Sequence, residues 1–488
     1  MSGEEGGTRT LVIGAEQEVG TLDSAVLTAV GDQQITTNLY EGLLRYELGT
    51  VQPGPGLATD WSSDEAGTTW NFELREGVQF HEGYGEMTSS DVVYTFNRLA
   101  DPVTASPNAA LLSAIEEVRA EGDYGVIIEL SRPDPNLLYN LASWYTGIVS
   151  EDAVEEKGEA YGQDPVGTGP YEFDHWTPGQ EVVLTSFGEY WNGEPGLDEV
   201  TFRIISDATT RNNAFMAGEI DINQVTDPEI YAQYEAQRGV TLVSAPGLIT
   251  RFFGMNTEQA PFNDPRVREA VSLAINRPAM LEGLFEGIST PAEGILSPAV
   301  LHARTGILNY EYDPGRAREL LAEAGYADGV NVTFSVPSID RFTRPATVIQ
   351  QDLADVGIDV EIEAMESQAL LAALQQEEGL QMFILSRGQD ATPDRVLNTW
   401  FSSETIPENN WARINDPEVD EWLREASSTL DEDRRDELFG NVQDRVAEGN
   451  FYYYIDHEDY IFALQSRVEG FVGDPQRSLR LDDVTVDD

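Results

Sequence analysis

Residues 165–171 read Pro-Val-Gly-Thr-Gly-Pro-Tyr, and this stretch restricts the backbone most tightly. Its two prolines and two glycines exclude a helix interior. Proline lacks an N–H and collides with the preceding turn, and glycine forfeits backbone entropy. The segment must be a turn of fixed shape. Apolar alternation follows and ends at Val182-Val183-Leu184, so the turn launches a strand.

Other elements have signals of their own. Residues 70–80 alternate as a strand that turns at Glu76-Gly77. Thr88 and Asp91 are spaced as a helix-opening capping box ahead of Val92, Val93, Phe96 and Leu99. Asp264-Pro265, Asp313-Pro314 and Asp416-Pro417 each place an N-cap before a proline at the first helical position. Apolar faces follow: Val267, Ala270, Val271, Ala274 and Ile275; then Leu320, Leu321 and Ala324, stopped by Gly325; then Val419, Trp422, Leu423 and Ala426. Short strands at 330–336, 358–362 and 382–385 lie between these helices, so the second half is α/β.

A length of 488 residues suits about two or three domains with sizeable cores. The charge is more telling: 87 acidic residues oppose 29 basic ones, giving −58, and Lys157 is the only lysine. A carboxylate-dense, lysine-poor surface suits solution in concentrated salt. There the Debye length falls to about 3 Å and self-repulsion is screened. The chain reads as a halophile's protein. Without a basic patch it excludes nucleic acid as a partner. No apolar run approaches the roughly 18 residues of a membrane helix. Residues 2–7 are expected to be a flexible lead without a signal-peptide core, and there is no cysteine.

An ordered set of motifs points to a family. Thr21-Leu22-Asp23 and Asn38-Leu-Tyr-Glu-Gly-Leu-Leu-Arg45 come first. Residues 56–61, 70–83 and 89–96 follow, then the 165–171 turn, 189–205 and 216–222. Pro261-Phe-Asn-Asp-Pro-Arg-Val-Arg-Glu-Ala-Val271 and residues 313–326 complete it. This succession resembles the peptide/nickel class of ABC-transporter substrate-binding proteins, solute-binding protein family 5, here in the form of a halophilic archaeon. The resemblance implies an α/β, two-lobed periplasmic-binding-protein-like fold with an extra inserted α/β subdomain. Lobe I is expected at 1–46, 168–246 and 466–488, the inserted subdomain at 47–167, and lobe II at 247–465. It also implies hinge motion over a solute in an interlobe cleft, permease subunits as partners, a monomer, and an exported, lipid-anchored precursor. The signal and anchor cysteine would then precede this sequence; an intracellular protein is the alternative, and the absence of cysteine does not decide between them.

Enzyme motifs are scarce. Lys157 follows Glu156 and precedes Gly158, so no phosphate-cradling loop forms around it, and position 154 is Val, which rules out an SxxK nucleophile. Neither G-x-S-x-G nor H-E-x-x-H occurs, and His81, His175, His302 and His457 are dispersed without ligand spacing. Neither a metal nor a cofactor is expected, and His81 reads as structural. Residues 431–436 lack the glycine of a calcium loop and read as a helix start.

The strongest site candidate is the polar stretch 386–394, at the carboxyl end of the 382–385 strand, where ligands meet open α/β sheets. The resemblance implies that Asp390 pairs with a ligand ammonium, with Gln389 beside it. The competing role for an aspartate here is a helix cap, which suits Asp394 better. Many relatives have a tryptophan where this chain has Arg387. Arginine there can stack on a ligand, fix its carboxylate or neutralise nearby acid. The resemblance also implies that Leu22 and Asp23 offer backbone to an extended ligand like an added strand. Trp144, Tyr145, Trp400 and Trp411 are candidate aromatic walls, and Asn256 sits at a matching strand end. The reading is capture of a di- or oligopeptide or peptide-like solute. The same class binding a nickel chelate or oligosaccharide is the alternative, and a two-carboxylate glycan hydrolase is the remote one.

Overall fold

The computed structural model describes residues 8–308 and 310–487. The chain divides into two compact units. One runs through Ala245 and resumes at Tyr460; the other is Pro246–Asp459.

In the first unit, strand Thr10–Ala15 pairs in parallel with Glu199–Ile204 and with Ile222–Val225. Glu199–Ile204 pairs antiparallel with Glu181–Ser186, which pairs antiparallel with Tyr171–Thr177. The 165–171 turn therefore launches a hairpin rather than one long strand, with Gly179 at φ +72° in the connection. A separate antiparallel sheet runs in the order Ala58–Ser63, Thr69–Leu74, Gly125–Leu130, Ile115–Glu121. The strand expected over 70–80 thus ends at Leu74. Helix Ser89–Ala100 packs on this sheet through Val92, Phe96 and Leu99, opened by the expected Thr88/Asp91 capping box.

The glycines of the turn are needed for close approach, not for a left-handed backbone. A Cβ on Gly167 would lie 2.0 Å from the Leu39 carbonyl oxygen, and one on Gly169 would lie 2.4 Å from that of Asn38. This intimacy lets the Gly169 N–H bond Leu39 and the Tyr171 N–H bond Asn38. Buried His81 holds the turn from its other side. Its Nδ1 accepts from the Gly167 N–H, so Nε2 carries the proton and donates to the Gly169 carbonyl at 3.0 Å. Burial pushes this ring down to about 4, keeping it neutral, and its structural role is plain.

The second unit is a mixed sheet: Ile358–Met365, Val330–Pro337 and Met382–Gly388 in parallel, then the 249–255 segment antiparallel to Met382–Gly388. Consecutive residues Phe252 and Phe253 enter different apolar clusters. One cluster is covered by helices Pro265–Ala274, Pro314–Glu323 and Asp340–Asp355. The other is covered by Pro393–Phe401, Pro417–Ala426 and Glu432–Glu448. Burial on both faces explains why Met382-Phe-Ile-Leu385 is a continuous apolar run rather than an alternation. The capping aspartates behave as their spacing requires: Asp264, Asp313 and Asp416 accept from backbone N–H groups of the first turn, each with proline just inside. Gly325 follows its helix at φ +95°, and Asp431 caps Glu432–Glu448.

Candidate functional site

In the second unit the Met382–Gly388 strand is apolar until Leu385, and its polar end emerges at Ser386-Arg387-Gly388. Here Arg387 is the unusual residue. Its guanidinium carbon lies 4.0 Å from the ring centroid of Trp411 and 4.8 Å from that of Trp400. Nη1 donates to the Asn409 carbonyl at 3.1 Å and Nη2 to its Oδ1 at 3.2 Å. Among the described residues no carboxylate pairs with it. Burial pushes it down to about 10, opposed only by the Tyr452 and Tyr454 phenols. In a chain with three acids for every base, a cation held away from all of them is a positive feature of the design.

Asp390 is not the buried, unpartnered carboxylate that an ammonium pocket demands. It forms a two-pronged ion pair with Arg395, whose side chain is 74% exposed. Nor does Asp394 cap the following helix. Thr392 holds the N-cap position, while Asp394 turns inward to Arg435 and accepts from the Ser427 hydroxyl at 2.9 Å. Gln389 is also inward, accepting from the Ser297 N–H and donating to Thr250 and the Ile295 carbonyl. Its amide is fully engaged, so the expectation of direct ligand contact is corrected. Asn256 is corrected likewise: fully buried, it donates to the Glu378 carbonyl and accepts from the Glu258 N–H, closing a turn. Trp411 is a wall for Arg387 rather than bare aromatic surface, with its indole N–H on the Glu408 carbonyl.

In the first unit, Leu22 is fully buried, and both its main-chain groups are used: N–H to Gly162, carbonyl from the Tyr40 hydroxyl. Asp23 caps a short 3-10 turn and grips Arg98 with both oxygens, at 2.8 and 2.6 Å. Its N–H meets Thr21 Oγ1, and its carbonyl accepts from Val26. The backbone expected to pair with a ligand is thus already paired. Trp144 and Tyr145 stack at 3.7 Å with a 33° tilt. Trp144 lines a cavity with Glu41, Arg45, Asp474, Arg480 and Asp482. The charges there are paired or bonded within the unit. Asp482 takes Arg45 at 2.8 Å and Arg480 at 3.1 Å, while Glu41 accepts from Thr168, Tyr190 and Trp191.

Burial pushes Glu41 up from 4.5 to about 7, and Asp474 in the same cavity from 3.8 to about 6. Buried Asp456 of the second unit also rises from 3.8 to about 6. Each keeps its proton in the fold to a higher pH than in the unfolded chain. Between those values the fold binds more protons, so stability falls as pH rises. Glu41 alone accounts for a loss of roughly 3 kcal/mol between pH 4.5 and 7. The Glu41→Gln protein is expected to lose that part of the slope. Chemical denaturation of both proteins at pH 5 and pH 8 checks it, and parallel profiles would contradict the assignment.

Sequence reasoning missed Asn409, Thr250 and His457 as neighbours of the 386–390 segment. None is near it in sequence, and only strand pairing and loop return bring them there. Among the described residues no three His, Asp or Glu side chains gather as a metal site, and no helix is long and apolar enough to cross a membrane.

Comparison with known proteins agrees with this architecture. Residues 52–408 match the family described as bacterial extracellular solute-binding proteins, family 5 Middle. The glutathione-binding protein GsiB of Escherichia coli strain K12 is 30% identical over 472 residues, covering 95% of this chain and 92% of GsiB. The structure of HbpA2 from Haemophilus parasuis is similar at a TM-score of 0.90 and 26% identity, covering 98% of this chain and 100% of that one. The periplasmic binding protein DppA from Helicobacter pylori, solved with the peptide STSA, gives 0.77 and 27%, covering 98% of each chain. A mixed α/β fold of the periplasmic-binding-protein type and a match across most of the sequence lead to one assignment: the chain belongs to the family 5 extracellular solute-binding proteins.

Proposed function

We propose that this chain is the extracellular solute-binding component of an ABC importer, capturing a di- or oligopeptide or peptide-like solute with a free carboxylate and delivering it to membrane permease subunits. Arg387 carries the ligand part of this reading. A guanidinium between two tryptophans, partly desolvated and without an acidic partner, is poised to receive a carboxylate in bidentate fashion. Three residues on, Asp390 is held only by an exposed arginine, a pairing weak enough for a ligand ammonium to replace. Opposite charges this close in sequence suit a zwitterionic solute. The reading draws further support from relatives whose names record glutathione and peptide binding. Binding without covalent chemistry, a monomeric state and a lipid-anchored precursor belong to the same proposal.

The test is a thermal-shift screen in molar KCl with glutathione, Ser-Thr-Ser-Ala, its N-acetylated and C-amidated forms, a nickel chelate and oligosaccharides. A ligand at 100 times its Kd adds about 2.7 kcal/mol. Stabilisation by the free peptides, weakened by either blocking group, is the expected result. Stabilisation by chelates or sugars alone would overturn the peptide reading.

The same apparatus tests the salt adaptation. With a net charge of −58, lowering KCl from molar to about 0.1 M lengthens the Debye length from about 3 to 10 Å and restores self-repulsion. The unliganded Tm is expected to fall. A Tm independent of salt would contradict a halophilic design.

A further inference from the structure

Behind the 386–390 segment lies a buried chain of three polar side chains. Gln389, Thr250 and His457 are 7%, 0% and 2% exposed. The Ser297 N–H can only donate, so the Gln389 atom 2.7 Å from it is Oε1. That fixes the amide orientation: Nε2 donates to Thr250 Oγ1 at 2.8 Å and to the Ile295 carbonyl at 3.2 Å. Thr250 has one hydroxyl proton, and its other polar neighbour is His457 Nδ1, 2.8 Å away. The arrangement that gives the hydroxyl proton an acceptor sends it to Nδ1 and leaves the ring proton on Nε2, which is buried and makes no hydrogen bond among the described residues. Burial and the positive charge of Arg277 push the ring down to about 4, so Nδ1 is free to accept at neutral pH. The donors then all point one way, from the amide through the hydroxyl to the imidazole, and each bond polarises the next.

The position of this chain gives it a role. Gln389 lies between Arg387 and Asp390, and its N–H is tied to the Leu248 carbonyl at 2.6 Å. Thr250 is directly opposite Arg387 in the strand register. His457 is on the strand Tyr452–Gln465, which leaves the second unit after Asp459. We propose that Gln389, Thr250 and His457 form a proton-ordered relay that positions the 387–390 turn and transmits its occupancy by a solute to the Tyr452–Gln465 strand. This rests on the reading of that turn as the solute contact. Gln389 and Thr250 are positioning residues: they touch no solute and act through the backbone they hold.

The experiment uses the full chain with Thr250→Val, which keeps the shape and removes the hydroxyl, and Thr250→Ser, which restores it. The first readout is ring 15N NMR, tractable because the chain has four histidines. In the wild type, His457 is expected as the Nε2–H form, and Thr250→Val is expected to shift its Nδ1 signal while Thr250→Ser does not. The second is calorimetric affinity for glutathione and Ser-Thr-Ser-Ala. Thr250→Val is expected to weaken binding about tenfold, the worth of one buried hydrogen bond, with Thr250→Ser close to wild type. Saturating peptide is expected to move the His457 signal in the wild type and in Thr250→Ser but not in Thr250→Val. Binding unaffected by Thr250→Val, with a silent His457, would overturn the relay and leave the solute reading intact. If neither peptide binds the wild type, the solute reading fails. The relay is then judged in the free protein, where a His457 tautomer indifferent to Thr250→Val overturns it.

Discussion

Asp394→Ala is expected to cost about 3–5 kcal/mol of unfolding free energy, read as a shift in the urea midpoint in molar KCl. The reason is the company Asp394 keeps. Arg435 is fully buried, and Asp394, 6% exposed, supplies the buried carboxylate that balances it. A second carboxylate on Arg435, that of Glu432 at 3.0 Å, lies at the surface, where water competes. Truncating Asp394 takes from this buried guanidinium its buried counter-charge, beside an apolar cluster that includes Phe439, Leu397 and Val396, and leaves the Ser427 hydroxyl without its carboxylate acceptor. The cost comes from the charge left behind, not from the attraction lost. Replacing both partners, as Asp394→Leu with Arg435→Met, is therefore expected to recover most of the stability. A single mutant as stable as the wild type would show that the pair is not what fixes the Pro393–Phe401 helix against Glu432–Glu448.

Arg387→Gln is expected to weaken binding of a carboxylate-bearing peptide by about 2–5 kcal/mol, the range for removing one partner of a desolvated charge pair. The same change should leave affinity for the C-amidated peptide nearly untouched. That contrast separates charge recognition from loss of packing, since Gln also gives up the cation–π contacts with Trp400 and Trp411. Calorimetry on the two peptides with both proteins decides it. Equal losses on both would make Arg387 a structural cation that fills the space between two indoles.

The site was only partly legible in the sequence. Arg387 and Asp390 stood out because a polar segment follows an apolar strand, but the expected unpartnered carboxylate at Asp390 is paired with exposed Arg395, and Arg387 rests against two tryptophans. Gln389, in the same segment, turns inward, because strand pairing continues through Gly388 and carries the next side chain back towards Thr250. Leu22, Asp23 and Asn256 matched motifs whose hydrogen-bonding groups prove to be used inside the fold. A motif records that a residue type is required, not whether it faces the solute or the protein.

The sequence by itself determined the local structure: the Asp-Pro helix starts, the capping box at Thr88, the stop at Gly325 and the alternation of helix and strand. These rest on interactions within a few residues, so their physics is complete in a short window. Only the tertiary structure decided which polar groups are spent and which are free. Arg435 claims Asp394 across 41 positions, and His81 holds a turn 86 residues away. Arg387 is left between two tryptophans without an acid. Burial sets the strength of each of these contacts, and burial depends on what distant segments bring to the same place.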